Sequence, residues 1–563
     1  MKLNKIISGM LALVISGSMF ISCESTELDL TQDPNFLAPE QADPDFFLNA
    51  IQEDFARLVN SIGTSTAQVT RILAFTSRNY QNAFDPAGFD NEWREAYQQI
   101  LLDIRLMNVL AEERELYTHI AIGQIIEAYV MVMLVDFWGD VPYSEALLAE
   151  EGNFTPALDA GSSIYDAALV LCDNAIANLA LTAAAPGDDL YFPTGDNSNW
   201  VRVANVMKMK IHLNRRLVDN NAVASFFDIV DNDDIITNAS EDFEFQWGTS
   251  QTNPDTRHPL YINHYSPSGV VAGYNSNWLM DYMLNSKTGN GNLTFEGADP
   301  RMLFYYYRQA SVVPVDEQLI RCTVEPIPPH YTTWAATIPW GGVYCRLDDG
   351  YWGRDHGDDS GTPPDTQSRT AYGVYPVGGL YDQSTFAVIN NVEEGGNGAG
   401  ITPILLSSGV DFMIAEMEMV RGNDAAARDA MLSGIQKSFT KVRPFKDLDP
   451  SAAAVAAPST DEDTDYIAEV SNLWDAGSND EKWNLMASEL FVVLYGNGIE
   501  AYNYYRRTGY PDNIQPNLEP DPGSFIRSFI YPANAANRNP NFTQDKDVST
   551  QVFWDTNPAG FIY

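Results

Sequence analysis

The sequence predicts a mostly α-helical protein, in which a scaffold of helical hairpins carries a large irregular region with short strands. Three observations support this fold class. Apolar residues recur at three- and four-residue spacing in much of 46–219 and 410–510. A helix near residue 130 is apolar on every side, which is typical of a buried helix. Between 220 and 409, Gly, Pro, Asn, Asp, Trp and Tyr are dense, which indicates turns and short strands.

The central helix is expected over residues 116–138. Its apolar face comprises Ile122, Ile125, Ile126, Tyr129, Met133 and Phe137. Residues 128–135 are apolar all round, but this run is shorter than the roughly 20 residues that cross a bilayer, so we expect it inside a soluble helical array. Gly139 and Pro142 end the helix, because glycine is a poor helix former and a proline ring clashes with the preceding turn.

Other helices follow from the same apolar spacing. They cover residues 46–60, 65–80, 92–114, 163–180, 199–218, 277–284, 411–421, 424–441 and 483–506. Short breaks between paired helices suggest stacked helical hairpins. We therefore expect a helical scaffold at 46–219 and 410–510, a loop-rich ligand region at 220–409 and an irregular C-terminal segment at 511–563. The aromatic content of the loop-rich region argues against disorder, and we expect binding there.

The N-terminus has the features of an exported lipoprotein. Two lysines precede an apolar stretch, which predicts a signal peptide over residues 1–22. Phe20-Ile21-Ser22-Cys23 resembles a lipobox, in which the cysteine becomes the lipidated first residue. The alternative is an ordinary signal peptide with a coincidental cysteine. Acyl chains contribute about 0.8 kcal/mol per buried methylene, so a lipidated Cys23 and a tether over 23–45 would hold the remaining domain, residues 46–563, at a membrane.

Composition and motifs exclude several function classes. The chain has 33 Lys and Arg against 76 Asp and Glu, a net charge of −43. Such a surface repels phosphate backbones, so no nucleic-acid partner is expected. The six histidines form no His-Glu-x-x-His pair, no Gly-x-Ser-x-Gly elbow is present, and the glycine-rich run 395–400 lacks the phosphate-loop lysine. We predict no enzyme activity, no catalytic residue, no metal centre and no cofactor.

Two groups of residues leave alternatives open. The cluster Asp355-His356-Gly357-Asp358-Asp359 alternates oxygen ligands with glycine, which suits a structural calcium ion, but its spacing departs from the twelve-residue calcium loop. The alternative is a structural role, with Arg354 pairing a carboxylate and the acids capping turns. Cys322 and Cys345 flank an aromatic loop and either form a disulfide or stay reduced, whereas Cys172 is expected to be a buried thiol.

Aromatic residues on a loop punctuated by Pro and Gly are the candidates for ligand binding. They are Tyr331, Trp334, Trp340, Tyr351 and Trp352. Flat rings can stack on the apolar face of a sugar, which buries apolar area at about 25 cal/mol per Å², and peptide side chains can use the same platform. The alternative is that these rings fill the core. It applies more strongly to Trp138, Trp200 and Trp483, which lie in helical patterns.

Nine motifs in order along the chain carry a family resemblance. They are Asp136-Phe-Trp-Gly-Asp-Val-Pro-Tyr-Ser-Glu-Ala146, Asp299-Pro-Arg301, Gly353-Arg-Asp-His-Gly-Asp358, Tyr372-Gly-Val-Tyr-Pro-Val-Gly-Gly379, Tyr495-Gly-Asn-Gly-Ile-Glu-Ala-Tyr502, Arg506-Arg-Thr-Gly-Tyr-Pro511, Tyr531-Pro-Ala-Asn-Ala-Ala-Asn537, Asn539-Pro-Asn541 and Val552-Phe-Trp-Asp555. Together they resemble the SusD/RagB family of nutrient-binding outer-membrane lipoproteins of Bacteroidetes. The resemblance implies a tetratricopeptide-like scaffold, a lipid-anchored position at the cell surface and a SusC-like TonB-dependent transporter as partner.

The resemblance also implies that an aromatic residue from an early loop joins those of the middle region, and Tyr80 and Phe84 are the candidates. The expected function is capture of an oligomeric nutrient for delivery to the transporter. Glycan is favoured as the ligand, and peptide is the alternative. A secreted glycan hydrolase and a purely structural envelope protein are the rivals from other classes.

Overall fold

The computed structural model describes residues 43–265, 273–287, 298–314, 324–360, 367–542 and 546–563. The predicted signal peptide and the lipidation candidate Cys23 lie outside the described residues, as does most of the expected tether. Residues 44–563 belong to one structural unit.

The N-terminal part of the chain is built from helices that pack against their sequence neighbours. They are α1 Pro44–Val69, α2 Asp90–Arg94, α3 Leu102–Glu113, α4 Tyr117–Trp138, α5 Gly161–Leu179, α6 Asn197–Arg215 and α7 Ala222–Asn232. A π-helix, Glu95–Leu101, joins α2 to α3. Helix α4 packs against α3 and α5, and α5 packs against α6, so the predicted hairpin arrangement is confirmed.

The middle of the chain contains short elements between long connections. They are β1 Phe243–Gln246, α8 Pro259–His264, α9 Asn277–Asn285, α10 Met302–Tyr305, β2 Tyr306–Tyr307, α11 Pro329–Ala335, β3 Ala371–Tyr372 and β4 Ile401–Leu405. Strands β1 and β4 pair antiparallel, with Phe243 opposite Leu405 and Gln246 opposite Ile401. Strands β2 and β3 form a second antiparallel pair.

The C-terminal part returns to helices. They are α12 Ser407–Val420, α13 Asp424–Val442, α14 Thr460–Ala476, α15 Asn479–Val493, α16 Gly498–Thr508 and α17 Ala533–Arg538. Helices α12 and α13 form a hairpin, and α16 packs against α1 across the chain. The fold is therefore mostly helical, of the tetratricopeptide-like hairpin type, with few and short strands.

Helix α4 forms the centre of the core. Its residues are apolar around the whole circumference, and side chains from Ile125 to Trp138 are buried apart from Glu127. By length and composition α4 could cross a bilayer, but 89% of its most apolar window is buried inside the fold. It ends at Gly139, whose φ of +87° is a backbone conformation that favours glycine.

Asp136 on α4 is a buried carboxylate that joins distant parts of the chain. It accepts hydrogen bonds from the Tyr165 hydroxyl, from Trp554 Nε1 at 2.9 Å, and from the side-chain amides of Asn214 at 3.2 Å and Asn503 at 2.8 Å. Each donor lies on a different element or segment. The first motif of the family resemblance therefore holds the scaffold together at Asp136.

Two predicted helices differ from the structure. The helix expected at 65–80 is absent, because α1 continues to Val69 and the described chain after it is non-helical up to the short 3₁₀-helix Pro86–Phe89. The helix expected at 483–506 is two helices, α15 and α16. The break falls at Gly496, which has a φ of +104°. Helices α7 and α14, and the short helices α8, α10, α11 and α17, were not predicted from the sequence.

Candidate ligand-binding cleft

A cleft of about 680 Å³ lies where α15 meets the ends of α9 and α14. Glu481, Asn484, Leu485 and Ser488 of α15 line one wall. Their spacing of three and four residues places them on a single face of the helix. Ser478 caps this helix, and the Glu481 carboxylate accepts a hydrogen bond from the Ser478 backbone N–H at 2.7 Å. Because of that hydrogen bond, the pKa of Glu481 is lowered and the side chain is ionised.

Trp340 also lines the cleft, together with Thr337 and Pro339 from the segment that follows α11. Its indole N–H donates to Asp281 Oδ2 at 2.9 Å, and its ring meets the edge of Tyr282 at 5.8 Å between centroids. Burial raises the pKa of Asp281, while the hydrogen bonds from Asn285 and Trp340 lower it. Trp340 is half-buried, so it is fixed at one edge and has ring surface free to contact a ligand.

Lys287 is the cation among the described residues that line the cleft, and its charge is compensated inside the protein. Its ammonium group lies 2.7 Å from Glu489 and donates to the Tyr282 hydroxyl and to Ser286 Oγ, each at 2.9 Å. Burial alone would raise the pKa of Glu489, but Lys287 and Arg301 hold it below its ordinary value. All three N–H donors of Lys287 are therefore occupied.

The rim of the cleft is formed by Asp512, Asn513 and Tyr563. Asp512 accepts a hydrogen bond from the Asn484 amide at 2.8 Å, and the Tyr563 hydroxyl donates to the Asp512 carbonyl. The Tyr563 side chain is exposed, with a relative accessibility of 46%. It offers a second ring at the opening of the cleft.

Two polar atoms at the cleft are buried without a hydrogen-bond partner among the described residues. They are Ser488 Oγ and Asn513 Oδ1. Ser488 is 1% exposed, so its hydroxyl lies deep in the wall. A buried polar group without a partner costs about 1–3 kcal/mol, and a ligand or ordered water at this position would remove that cost.

Tyr331 and Trp334, two of the predicted ligand residues, instead fasten α11 to the segment that follows residue 512. The Tyr331 hydroxyl donates to the Pro516 carbonyl at 2.9 Å, and Trp334 Nε1 donates to the Asn513 carbonyl at 3.0 Å. Tyr331 is fully buried, and the expectation that its ring is open to a ligand is wrong. Trp334 is half-buried and positions Asn513 at the rim.

Tyr351 and Trp352 are also buried, at 3% and 0% exposure, so neither can present a ring face to a ligand. Trp352 Nε1 donates to the Ser368 carbonyl at 2.8 Å. Tyr351 lies beneath the Arg308 guanidinium, which is 4.6 Å from the ring centroid. Tyr331, Tyr351 and Trp352 are therefore core residues of the loop-rich region, as the alternative interpretation proposed.

Tyr80 and Phe84 belong to a different aromatic group, in which both pack against Phe75. Tyr80 is 1% exposed, and its hydroxyl is 2.9 Å from His356 Nε2 and 3.3 Å from Arg71 Nη2. Burial raises the pKa of Tyr80. Phe84 is half-buried and meets the edge of Phe529 at 5.1 Å. The prediction that Tyr80 faces a ligand is therefore wrong.

The acidic cluster at 355–359 makes hydrogen bonds within the protein. Asp355 is buried and accepts from Asn277 Nδ2 at 3.0 Å, from the Cys345 N–H at 2.6 Å and from Gln515 Nε2 at 2.8 Å. Burial raises the pKa of Asp355 to about 7. Asp359 pairs with Arg78 at 2.8 Å. Within the described ranges, no group of three or more His, Cys, Asp or Glu side chains could hold a metal ion.

The cysteines are in two states. Cys172 is a free, buried thiol, as predicted. Cys345 is disulfide-bonded, and its predicted partner Cys322 lies outside the described residues.

Several cleft residues were missed from the sequence: Lys287, Glu481, Ser488, Asp512, Asn513 and Tyr563. They come from four separate segments of the chain, so no spacing pattern joins them. Trp483, which was assigned to a helical core, is half-buried and stacks on Tyr510 with a ring separation of 5.8 Å.

Fold and cleft define a helical-hairpin protein with a loop-rich face, and comparison with known proteins identifies its family. The SusD-like family described as "starch-binding associating with outer membrane" matches residues 35–312. The chain belongs to this SusD/RagB family. A search of curated proteins finds no match.

Solved structures of SusD-like proteins share the fold. A SusD/RagB family protein from Bacteroides thetaiotaomicron superposes with a TM-score of 0.66 at 16% identity, covering 92% of this chain and 100% of the other. A SusD homologue from Bacteroides uniformis gives 0.60 at 17% identity, with 91% and 100% covered. A chitin-binding SusD homologue from Flavobacterium johnsoniae gives 0.56 at 17% identity, with 90% and 99% covered.

Proposed function

We propose that this protein is a surface-exposed outer-membrane lipoprotein, anchored through Cys23, that binds an oligomeric nutrient and delivers it to a SusC-like TonB-dependent transporter. Glycan is the favoured ligand class. The observation that carries the proposal is the cleft beside α15, where the half-buried ring of Trp340 faces open space. Family membership supports the location at the outer membrane, because the family is described as associating with it.

The arrangement of the cleft favours binding over catalysis. Two carboxylates, Glu481 and Asp512, line it, but the first caps a helix and the second accepts from Asn484. Glycoside hydrolysis needs one carboxyl group with a raised pKa opposite an ionised one, and the pKa of Glu481 is lowered. A sugar stacked on the half-buried ring of Trp340, with its hydroxyl groups near Ser488 and Asn513, would use the open part of the ring and give the two unpartnered atoms hydrogen bonds.

The first test is calorimetry of the full-length chain, purified in detergent, against panels of oligosaccharides and peptides. We expect saturable binding to an oligosaccharide that is lost in Trp340→Ala. Trp93→Ala is the matched control, because Trp93 is also half-buried but packs on Tyr97 in another part of the fold. Binding of peptides alone would refute the glycan assignment, and binding that survives Trp340→Ala would refute the cleft.

Two further measurements separate the rivals. Chromatography of the oligosaccharide after prolonged incubation should show it unchanged, whereas a hydrolase would release shorter products. Co-purification from outer membranes should recover a barrel transporter with the protein. A chain that binds no ligand and recovers no barrel would favour a structural envelope protein.

A further inference from the structure

The polar groups that the cleft offers to a ligand are mainly hydrogen-bond acceptors and negative charges. Glu481 and Asp512 contribute carboxylates, and Asn513 Oδ1 is a buried acceptor without a partner among the described residues. Ser488 Oγ, also buried and unpartnered, can donate or accept. A ligand that satisfies this set must carry several N–H or O–H donors.

Positive charge is not available to a ligand in the described part of the cleft. Lys287 is 2% exposed, and its three donors are taken by Glu489, Tyr282 and Ser286. Lys287 and Glu489 neutralise each other, so the charge that the cleft presents to solvent comes from Glu481 and Asp512. An anionic sugar would find no free cation among the lining residues that the structure describes, and it would face two carboxylates.

A third carboxylate adds to the negative charge beside the cleft. Asp480 precedes Glu481 on α15 and accepts a hydrogen bond from the Tyr510 hydroxyl at 3.0 Å, next to Asp512. The ring of Trp340 also lines the cleft. Aromatic faces attract cations through the ring quadrupole. Trp340 and the carboxylates therefore both favour a positively charged ligand.

We propose that the cleft selects oligosaccharides that carry free amino groups, with a sugar ring against Trp340 and a protonated amine near Glu481 and Asp512. This inference rests on the proposed glycan-binding function and assigns its ligand class. Uronic acid and sulfated glycans are excluded from the cleft by charge. A basic peptide shares the positive charge but lacks a rigid sugar ring that could stack on Trp340. It is therefore the competing ligand in the test below.

The test compares glucosamine hexamer, N-acetylglucosamine hexamer, galacturonate hexamer and hexalysine by calorimetry on the full-length chain in detergent. The two glucosamine ligands have the same backbone and differ in the charge and acylation of the nitrogen. We expect the free amine to bind at least about tenfold more tightly, with a preference that shrinks as salt is added, and galacturonate not to bind.

The matched variants remove charge and keep shape. Glu481→Gln with Asp512→Asn should reduce the preference for the free amine over the N-acetylated hexamer by about tenfold. Gln can replace Glu in a helix capping box, so α15 should stay intact, and circular dichroism checks this. Glu462→Gln is the control, because Glu462 occupies the same cap position in α14, at the end away from the cleft.

Each outcome is decisive. Equal or tighter binding of the N-acetylated or another neutral oligosaccharide, lost in Trp340→Ala, would overturn the amine preference and leave the glycan-binding function standing. A preference that persists in the double variant would overturn the assignment to Glu481 and Asp512. Tighter binding of hexalysine would overturn the saccharide class, and failure of every sugar to bind would overturn both the inference and the proposed function.

Discussion

Replacing Asp136 with Asn should destabilise the fold strongly without changing the affinity for the ligand. The Asp136 carboxylate is 2% exposed, and each of its two oxygens accepts two hydrogen bonds. The substitution turns one of these oxygens into an NH₂ group, so two buried donors face another donor. At about 2 kcal/mol for each buried donor that loses its acceptor, the loss is about 4 kcal/mol. Lys210, whose ammonium lies 3.6 Å from Asp136, also loses a nearby negative charge.

The free energy of unfolding is measured by urea denaturation, followed by tryptophan fluorescence. Asp173→Asn is the control, since Asp173 is exposed and pairs with Lys208 at the surface, and we expect a change of at most about 0.5 kcal/mol there. A loss below about 1 kcal/mol for Asp136→Asn would refute the view that its hydrogen bonds stabilise the scaffold. A changed ligand affinity in the folded variant would refute the separation of this motif from the binding site.

Two further predictions concern buried ionisable groups. Burial, with repulsion from Arg506, lowers the pKa of Lys546 to about 7. Between about pH 7 and 10.5 the unfolded chain therefore binds a proton that the folded chain does not. The free energy of unfolding should rise with pH across this window by about 5 kcal/mol relative to that of Lys546→Met, as measured in urea titrations. Parallel pH profiles of the two proteins would contradict this. Burial also raises the pKa of the Cys172 thiol to about 12, so a maleimide should label Cys172 only after denaturation, and rapid labelling of the folded protein would show that the site opens. Peptide mapping of the same samples should find Cys345 linked to Cys322.

The long helices were predictable because the apolar pattern of their own residues determines them. Helices α4, α5, α6, α12 and α13 lie within a few residues of the expected bounds. The helix expected at 65–80 failed because its apolar residues, such as Ile72 and Phe75, are buried by distant segments, and Leu73 forms a β-bridge with Asn275. The periodicity of apolar residues indicates which residues are buried, but it does not indicate which segments bury them.

The division between α15 and α16 also depends on contacts between distant segments. At Gly498 an added Cβ would lie 2.1 Å from the Ala67 backbone nitrogen, so the close approach of α16 to α1 requires glycine. Helix α14 had signals that were overlooked, namely the N-cap Ser459 and acids in the first turn. Its polar sequence gave a weak apolar pattern.

The candidate site was harder to predict than the fold. An aromatic ring in a loop-rich region can either fill the core or contact a ligand, and the sequence does not distinguish the two. Tyr331 and Trp352 satisfy their polar atoms on backbone carbonyls and are buried. Trp340 donates to a side chain, Asp281, and keeps one side towards the cleft. For Tyr331 the burial depends on the contact of α11 with residues 512–517, which lie more than 170 residues away in sequence.

The family motifs and the cleft meet opposite physical requirements, which explains why recognising the family did not reveal the ligand. The motif residues Asp136, Arg301 and Tyr495 are buried, and their polar atoms are hydrogen-bonded within the chain. Such residues specify the scaffold, because the folded state loses stability if one of their hydrogen-bond partners is replaced. A ligand-binding residue must keep a ring face or a polar atom available, as Trp340 and Ser488 do. Ligand choice can therefore change at the cleft with little cost to the scaffold, and it has to be determined from the charge and hydrogen bonding of the cleft itself.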